Sequence, residues 1–352
     1  MKDIILNDKD VKDDLFPFGL IRHVADIRIG ILTIREKWER LLKRPVSLGS
    51  EDISASGSTL VVAANIIPSH DFISTLDQCN QTNISGSGID ACKIIQYPWH
   101  LFQLNDWALR EDFKLLTTGR ASVPIPETVQ VIDEKNVFIE QGAILRHCIL
   151  NASTGPIYIG KNTEIMEGAT IRGPFAICEG AVVKMGARIY GATTIGPYSV
   201  VGGEVKNSII FGYSNKAHDG YLGDSVVGEW CNLGAGTSNS NLKNSAGEVK
   251  VYDAASGHSK IAGTKCGLLL GDYSRSAINT TFNTGTVVGV CCNVYGEGLT
   301  PAFIPGFSWG YKPVKKYDFQ KAIRDIVNWK KLKGKIVTEE DIEQLSNIFN
   351  QS

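Results

Sequence analysis

The sequence carries no surplus of either charge, no closely spaced cysteine pair of the CxxC kind, and no apolar run of membrane length. Lys and Arg number 36 against 37 Asp and Glu, a formal net charge of −1. No global field therefore attracts nucleic acid or an anionic membrane, and any anionic ligand has to be held by a local cluster. The eight cysteines, Cys79, Cys92, Cys148, Cys178, Cys231, Cys266, Cys291 and Cys292, show neither zinc spacing nor a disulfide framework and read as small buried residues. No segment approaches the roughly 20 apolar residues of a membrane span. The opening MKDIILNDKDVKDD is charged at once, without an apolar stretch of signal-peptide length, so a cytoplasmic protein is expected. With 352 residues, 43% of them hydrophobic, the chain can bury a substantial core and build two or three structural units.

What is present is a repeat. Ile159, Ile165, Ile171, Ile177, Val183, Ile189, Ile195 and Val201 recur every six residues without a miss. Neither the 3.6-residue period of a helix nor the two-residue period of a flat strand accounts for this, so the chain has to turn at each repeat. Thr163, Ala169, Phe175, Ala181, Ala187, Thr193 and Ser199 follow four residues after the first seven of these aliphatics and are small in every case but one. A triangular coil explains both series, with the aliphatic filling the interior, the small residue near a corner and glycine easing the turn. The expected fold is a mainly β protein, a left-handed parallel β-helix of hexapeptide repeats over about 137–297. The pattern returns as Tyr221, Val227 and Leu233, and again as Leu270, Phe282, Val288 and Val294. Between them residues 236–265 are polar and lose the period, which reads as an extruded loop and a source of binding groups. Cys292 falls at a small corner position, so core packing is expected of Cys291 and Cys292.

Three regions follow: 1–125 as an α/β domain with a helix near 31–42 and an apolar run at 59–64, 126–300 as the β-helix, and 301–352 as a helical extension. Pro124 and Pro126 mark the first junction. In the extension Phe319, Ile323, Ile326 and Val327 share a helical face, and Thr338-Glu339-Glu340-Asp341 reads as a capping box for the last helix.

The stretch KAHDGYLGDSVVGEWCNLGAGTSNSNLK at 216–243 resembles the acetyltransferase half of GlmU-like enzymes that make UDP-N-acetylglucosamine. The runs GPIYIG, IMEGATIRGPF and FNTGTVVGV, with FPFGLIRHVADIRIGILTIREKW at 16–38, resemble a Bacteroidetes-type branch of those sugar nucleotidyltransferases. The resemblance implies that His218 is a general base supported by Glu204, and that Lys206, Tyr221, Asn232 and Asn241 contact substrate. Leu242 stands where the family has a second active-site tyrosine, and Tyr190 stands near an expected phosphate-binding arginine, for which Arg188 is the substitute. In the N-terminal domain Arg22, Arg28, Arg35 and Lys37 are placed to meet nucleotide phosphates, although the same residues suit the charged face of an amphipathic helix and His23 replaces an expected proline.

Acetyl transfer from a thioester to an amine needs a base, a stabilised oxyanion and close alignment. An imidazole suits the first role, while the bland reading of His218 is a solvated turn residue and that of Asn232 an asparagine ladder. The activity implied is acetyl-CoA-dependent N-acetylation of glucosamine-1-phosphate or a similar amino-sugar phosphate, by a homotrimer. The alternatives are a UTP-dependent sugar-1-phosphate nucleotidyltransferase using Mg²⁺, with the β-helix as its trimerisation module, and a non-catalytic assembly or sensing protein. No resident metal is expected.

Overall fold

The computed structural model describes residues 2–53, 59–76, 83–85 and 92–351, and Cys79 lies outside these. Strands β1 (Asp3–Asn7), β2 (Ser47–Gly49), β3 (Thr59–Ala63) and β4 (Asn83–Ile84) form a parallel sheet in the order β2-β1-β3-β4. Helix α1 (Ile34–Leu42) starts where Thr33 accepts the Glu36 N–H at 3.2 Å and Glu36 accepts the Thr33 N–H at 2.7 Å, a complete capping box. It buries Ile34, Lys37, Trp38 and Leu42 on one face. Helices α2 (His70–Leu76) and α3 (Asn105–Thr117) follow in this part, the latter directly after a short helical turn at His100–Gln103.

From residue 130 the chain winds through three parallel sheets in turn. Among the described residues the first face has nine strands, from Val137–Ile139 to Phe303–Ile304. The second has ten, from Ile144–Leu145 to an antiparallel last strand, Lys315–Lys316. The third has six, from Gln130–Ile132 to Tyr221–Gly223. This is the left-handed β-helix that the period implies. All eight aliphatics of the six-residue series are at most 2% exposed and belong to one interior cluster.

Three expectations need correction. Tyr221 is not an interior residue; Leu222 is, at 2% exposure. The corner at Gly202-Gly203 has two residues where the equivalent corners at 184–187 and 217–220 have four, so the interior series steps from Val201 to Val205, and the step from Leu222 to Val227 is five residues instead of six, which puts Leu222 inside in place of Tyr221. Secondly, Gly196, just after the aliphatic Ile195, does not take a left-handed turn. A Cβ there would stand 2.6 Å from the Phe211 carbonyl carbon of the next coil, so it is the close approach of successive coils that requires glycine. The left-handed corner residue is Tyr198, at φ 58°.

Thirdly, the segment 236–265 is not a free loop. Its Ser238–Asn239 stays in the coil and pairs with Thr281–Phe282. Val249–Asp253 and His258–Gly263 then form an antiparallel hairpin whose Val249, Val251 and Ala262 bury into the core of the N-terminal domain. The Gln103 side chain donates to the Ala262 carbonyl at 2.8 Å, and the Lys260 ammonium lies 4.6 Å from the Tyr97 ring centroid. The hairpin is a strap between the two parts. Ile209, Val226, Leu269 and Val287, from the first face, share the same cluster, so the described residues of the N-terminal domain pack on that face.

At the other end α4 (Phe319–Leu332) begins at Asp318, which accepts the Lys321 N–H at 2.8 Å, and buries Ala322, Ile323, Ile326 and Lys330. Val327, expected on that face, is 40% exposed. Helix α5 (Glu339–Gln351) is capped reciprocally by Thr338 and Asp341. Residues of both helices pack on Trp230, Tyr273, Cys291 and Phe307 along the corner between the first and second faces. The third face keeps Ile132 and Ile149 exposed. The seven described cysteines are buried, Cys291 and Cys292 included, and burial raises their thiol pKa values.

Candidate functional site

Three neighbouring strands of the third face carry most of the expected substrate residues: β5 (Arg188–Tyr190), β6 (Glu204–Lys206) and β7 (Tyr221–Gly223). Their alternation turns Ile189, Val205 and Leu222 inward and the flanking residues outward. The register then stacks Arg188 beside Glu204 beside Tyr221, and Tyr190 beside Lys206 beside Gly223. Residues 16 and 17 positions apart in sequence thereby become neighbours about 4.8 Å apart in the sheet. A Cβ at Gly223 would collide with the Tyr221 ring, so glycine there lets the phenol lie across the strand.

The Tyr190 hydroxyl donates to Glu204 at 2.6 Å, and Arg188 stands 4.0 Å from the same carboxylate. Lys206 lies over the Tyr190 ring at 5.9 Å. Asn241 donates to the Tyr221 hydroxyl at 3.1 Å and also to Asp224, whose other oxygen accepts from Asn207 at 2.7 Å. Burial and the carboxylates nearby raise the Tyr221 phenol above its ordinary pKa. A groove of about 380 Å³ runs along this face, with Arg188 and Tyr190 at one end and Ile132 and Ile149 among its apolar walls.

His218 sits in the corner between Asn215–Lys216 of the second face and β7, exposed, and its ring has no hydrogen bond among the described residues. Glu204 therefore does not hold His218 as expected; Tyr190 occupies the carboxylate instead. Asn232 lies around that corner on the second face, where its side-chain oxygen accepts from Asn215 at 3.5 Å. Tyr190, Asn207 and Asp224 were missed as site members. The Y-x-G-D step contains Asp224, but its role depends on Asn241 and Asn207, which only the coil register brings to it.

Since the Glu204 hydrogen bond pushes Tyr190 up to about 12, Glu204→Gln is expected to let this phenol titrate closer to its ordinary value of 10. The difference in tyrosinate absorbance between wild type and variant reads it, and superimposable titrations would show that Glu204 does not govern Tyr190.

The four N-terminal cations already have intramolecular partners. Arg22 reaches across to Asp272 at 2.9 Å and Glu229 at 3.4 Å; burial disfavours its charge, but the two carboxylates outweigh this and hold its pKa above the ordinary value. Arg35 pairs with Asp26 at 2.8 Å, Arg28 donates to the Ile31 carbonyl 3.7 Å from Glu36, and Lys37 is buried against Asp112. The Lys37–Asp112 pair borders an apolar cavity of about 320 Å³ between α1, α3 and residues 67–70.

Residues 4–89 match the sugar nucleotidyl transferase family. The bifunctional protein GlmU of Synechococcus elongatus is 28% identical over 178 residues, 48% of this chain and 35% of that protein. A bifunctional sugar-1-phosphate nucleotidylyltransferase/acetyltransferase of Sulfurisphaera tokodaii is 30% identical over 220 residues, 58% of this chain and 47% of that one. The bifunctional protein GlmU of Methanococcus maripaludis is 25% identical over 278 residues, 77% and 61% respectively. The chain thus spans at most about half the length of the first two relatives. The crystal structure of the polySia-specific acetyltransferase NeuO aligns with 53% of this chain at 12% identity and a TM-score of 0.27, too low to carry an argument. Over the parts matched, the chain is similar to the sugar nucleotidyl transferase family and to bifunctional GlmU proteins.

Proposed function

We propose that the protein is an acetyl-CoA-dependent N-acetyltransferase acting on glucosamine-1-phosphate or a close amino-sugar phosphate. The observation that carries this reading is the stacked row Arg188, Glu204 and Tyr221, with Lys206 and Asn241 beside it, on a face left open next to an exposed His218. In this reading the imidazole of His218 takes a proton from the substrate ammonium. The free amine attacks the thioester carbonyl, an amide bond forms, the carbon–sulfur bond breaks, and CoA leaves as the thiol. Lys206 and Arg188 offer charge to the sugar phosphate, while Tyr221, Asn241 and Asn232 supply hydrogen bonds to sugar and acetyl oxygens.

An exposed base on an open face encloses no substrate. A second copy closing over the third face would do so, and the homotrimer is part of this proposal. A monomer by light scattering across working concentrations would contradict it. The buried thiols of Cys148, Cys178, Cys231, Cys266, Cys291 and Cys292, none in a disulfide, accord with a reducing, cytoplasmic setting, and no helix among the described residues is long and apolar enough to cross a membrane.

A second reading, UTP-dependent nucleotidyl transfer, is favoured by the family match at 4–89. It would require Arg22, Arg28, Arg35 or Lys37 to leave their present partners. The triphosphate would bring Mg²⁺, for which no cluster of three or more His, Cys, Asp or Glu side chains gathers among the described residues. Mass analysis of one incubation with glucosamine-1-phosphate, acetyl-CoA and UTP separates the readings. An acetylated sugar phosphate supports the first, a UDP-linked sugar with pyrophosphate the second, and unchanged reactants leave an assembly or sensing role.

A further inference from the structure

An interior position of the β-helix is occupied by a lysine. Lys216 pairs in register with the interior Val201 of the preceding coil, where the repeat calls for an aliphatic, and is only 3% exposed. Its ammonium donates at 3.0 Å to the carbonyl of Gly202 and at 2.7 Å to the carbonyl of His218. These carbonyls belong to successive corners on one edge of the solenoid, so the ammonium is a cross-link between coils. The lower corner is the shortened Gly202-Gly203 turn, and it packs directly under the upper one. A Cβ on Gly203 would stand 2.8 Å from the His218 carbonyl and 2.9 Å from the Asp219 Cα. The backbone of His218 is thus fixed from inside by an ammonium and from below by a glycine corner, while its ring is free in solvent.

A buried lysine is an expensive filler for this position. Removing the ammonium from water costs several kcal/mol before its hydrogen bonds are counted, and a methionine would fill the space without that cost. We propose that Lys216 is a positioning residue for His218, holding the corner so that the imidazole is presented to the substrate amine in one place. The inference rests on the acetyltransferase reading.

Burial depresses the lysine pKa to about 8 against an ordinary 10.5; Asp219 opposes the shift and Arg188 adds to it. Between these two values the folded chain binds less proton than the unfolded one. The Lys216 contribution to stability therefore rises with pH through that window, and that contribution is absent from a variant without the lysine.

The test compares wild type with Lys216→Met, which removes the ammonium, and with Lys216→Gln, which keeps a donor and serves if methionine disturbs the fold. Lys216→Met is expected to melt no lower than wild type, to lose about 10²-fold in kcat with the sugar KM unchanged, and to shift and broaden the ring resonances of His218 in a carbon–proton correlation spectrum. Lys216→Gln is expected to recover part of kcat. Wild-type kcat together with an unmoved His218 resonance in both variants overturns the proposal, as does loss of activity that only follows loss of folding. If the wild type transfers no acetyl group the functional reading fails, and the His218 resonance alone then decides whether Lys216 positions the ring.

Discussion

Replacing His218 with alanine is expected to lower the turnover of acetyl transfer by about 10²–10⁴-fold, the usual contribution of a positioned base, without changing the melting temperature. The side chain is exposed and has no hydrogen-bond partner among the described residues, so its removal leaves neither a cavity nor an orphaned polar group. The loss should fall on kcat rather than on sugar affinity, because the base acts on the proton and not on the phosphate. Raising the pH should restore part of the rate, since more of the substrate amine is then already unprotonated. Steady-state kinetics at two pH values checks both statements, and an undiminished rate would remove His218 from the mechanism.

The second large effect concerns stability. Arg22→Met is expected to destabilise the protein by about 3–5 kcal/mol, because it leaves the fully buried Asp272 carboxylate without its partner. The effect is greater than that of a surface ion pair because Arg22 joins the N-terminal domain to the β-helix while lying over the Phe211 ring at 5.1 Å. Adding Asp272→Leu should recover much of the loss, since no charge is then buried unpaired. Denaturant unfolding of the two variants against wild type measures this. A loss below about 1 kcal/mol would mean that the pair behaves as a solvated one.

Arg22 also shows where sequence reading stops. Its charge and its place in a run of basic residues suggest phosphate binding, yet the partner that neutralises it is 250 residues further on. The six-residue series from Ile159 to Val201 was legible because each coil repeats one interior requirement. Legibility ends where the coil changes length: the step from Leu222 to Val227 is five residues, so counting six back from Val227 lands on Tyr221 while Leu222 is the interior residue. The short Gly202-Gly203 corner and the five-residue step from Val205 to Ile210 take Lys216 out of the series that ends at Val201, so nothing in sequence marks it as interior. The hairpin of Val249–Asp253 and His258–Gly263 was misread for another reason. Its alternate valines bury against the N-terminal domain, a partner that local polarity does not reveal. Within the site, the motif at 216–243 located His218, Tyr221 and Asn241. The bonds of Glu204 to Tyr190 and of Asp224 to Asn207 and Asn241 depend on coil register.

The measurement closest to the central claim is release of free thiol from acetyl-CoA by the wild type and by His218→Ala, with and without glucosamine-1-phosphate. The account predicts release that depends on the amino-sugar phosphate in the wild type and is nearly absent in the variant. Equal release by both proteins, or none from the wild type with any amino-sugar phosphate, would contradict it.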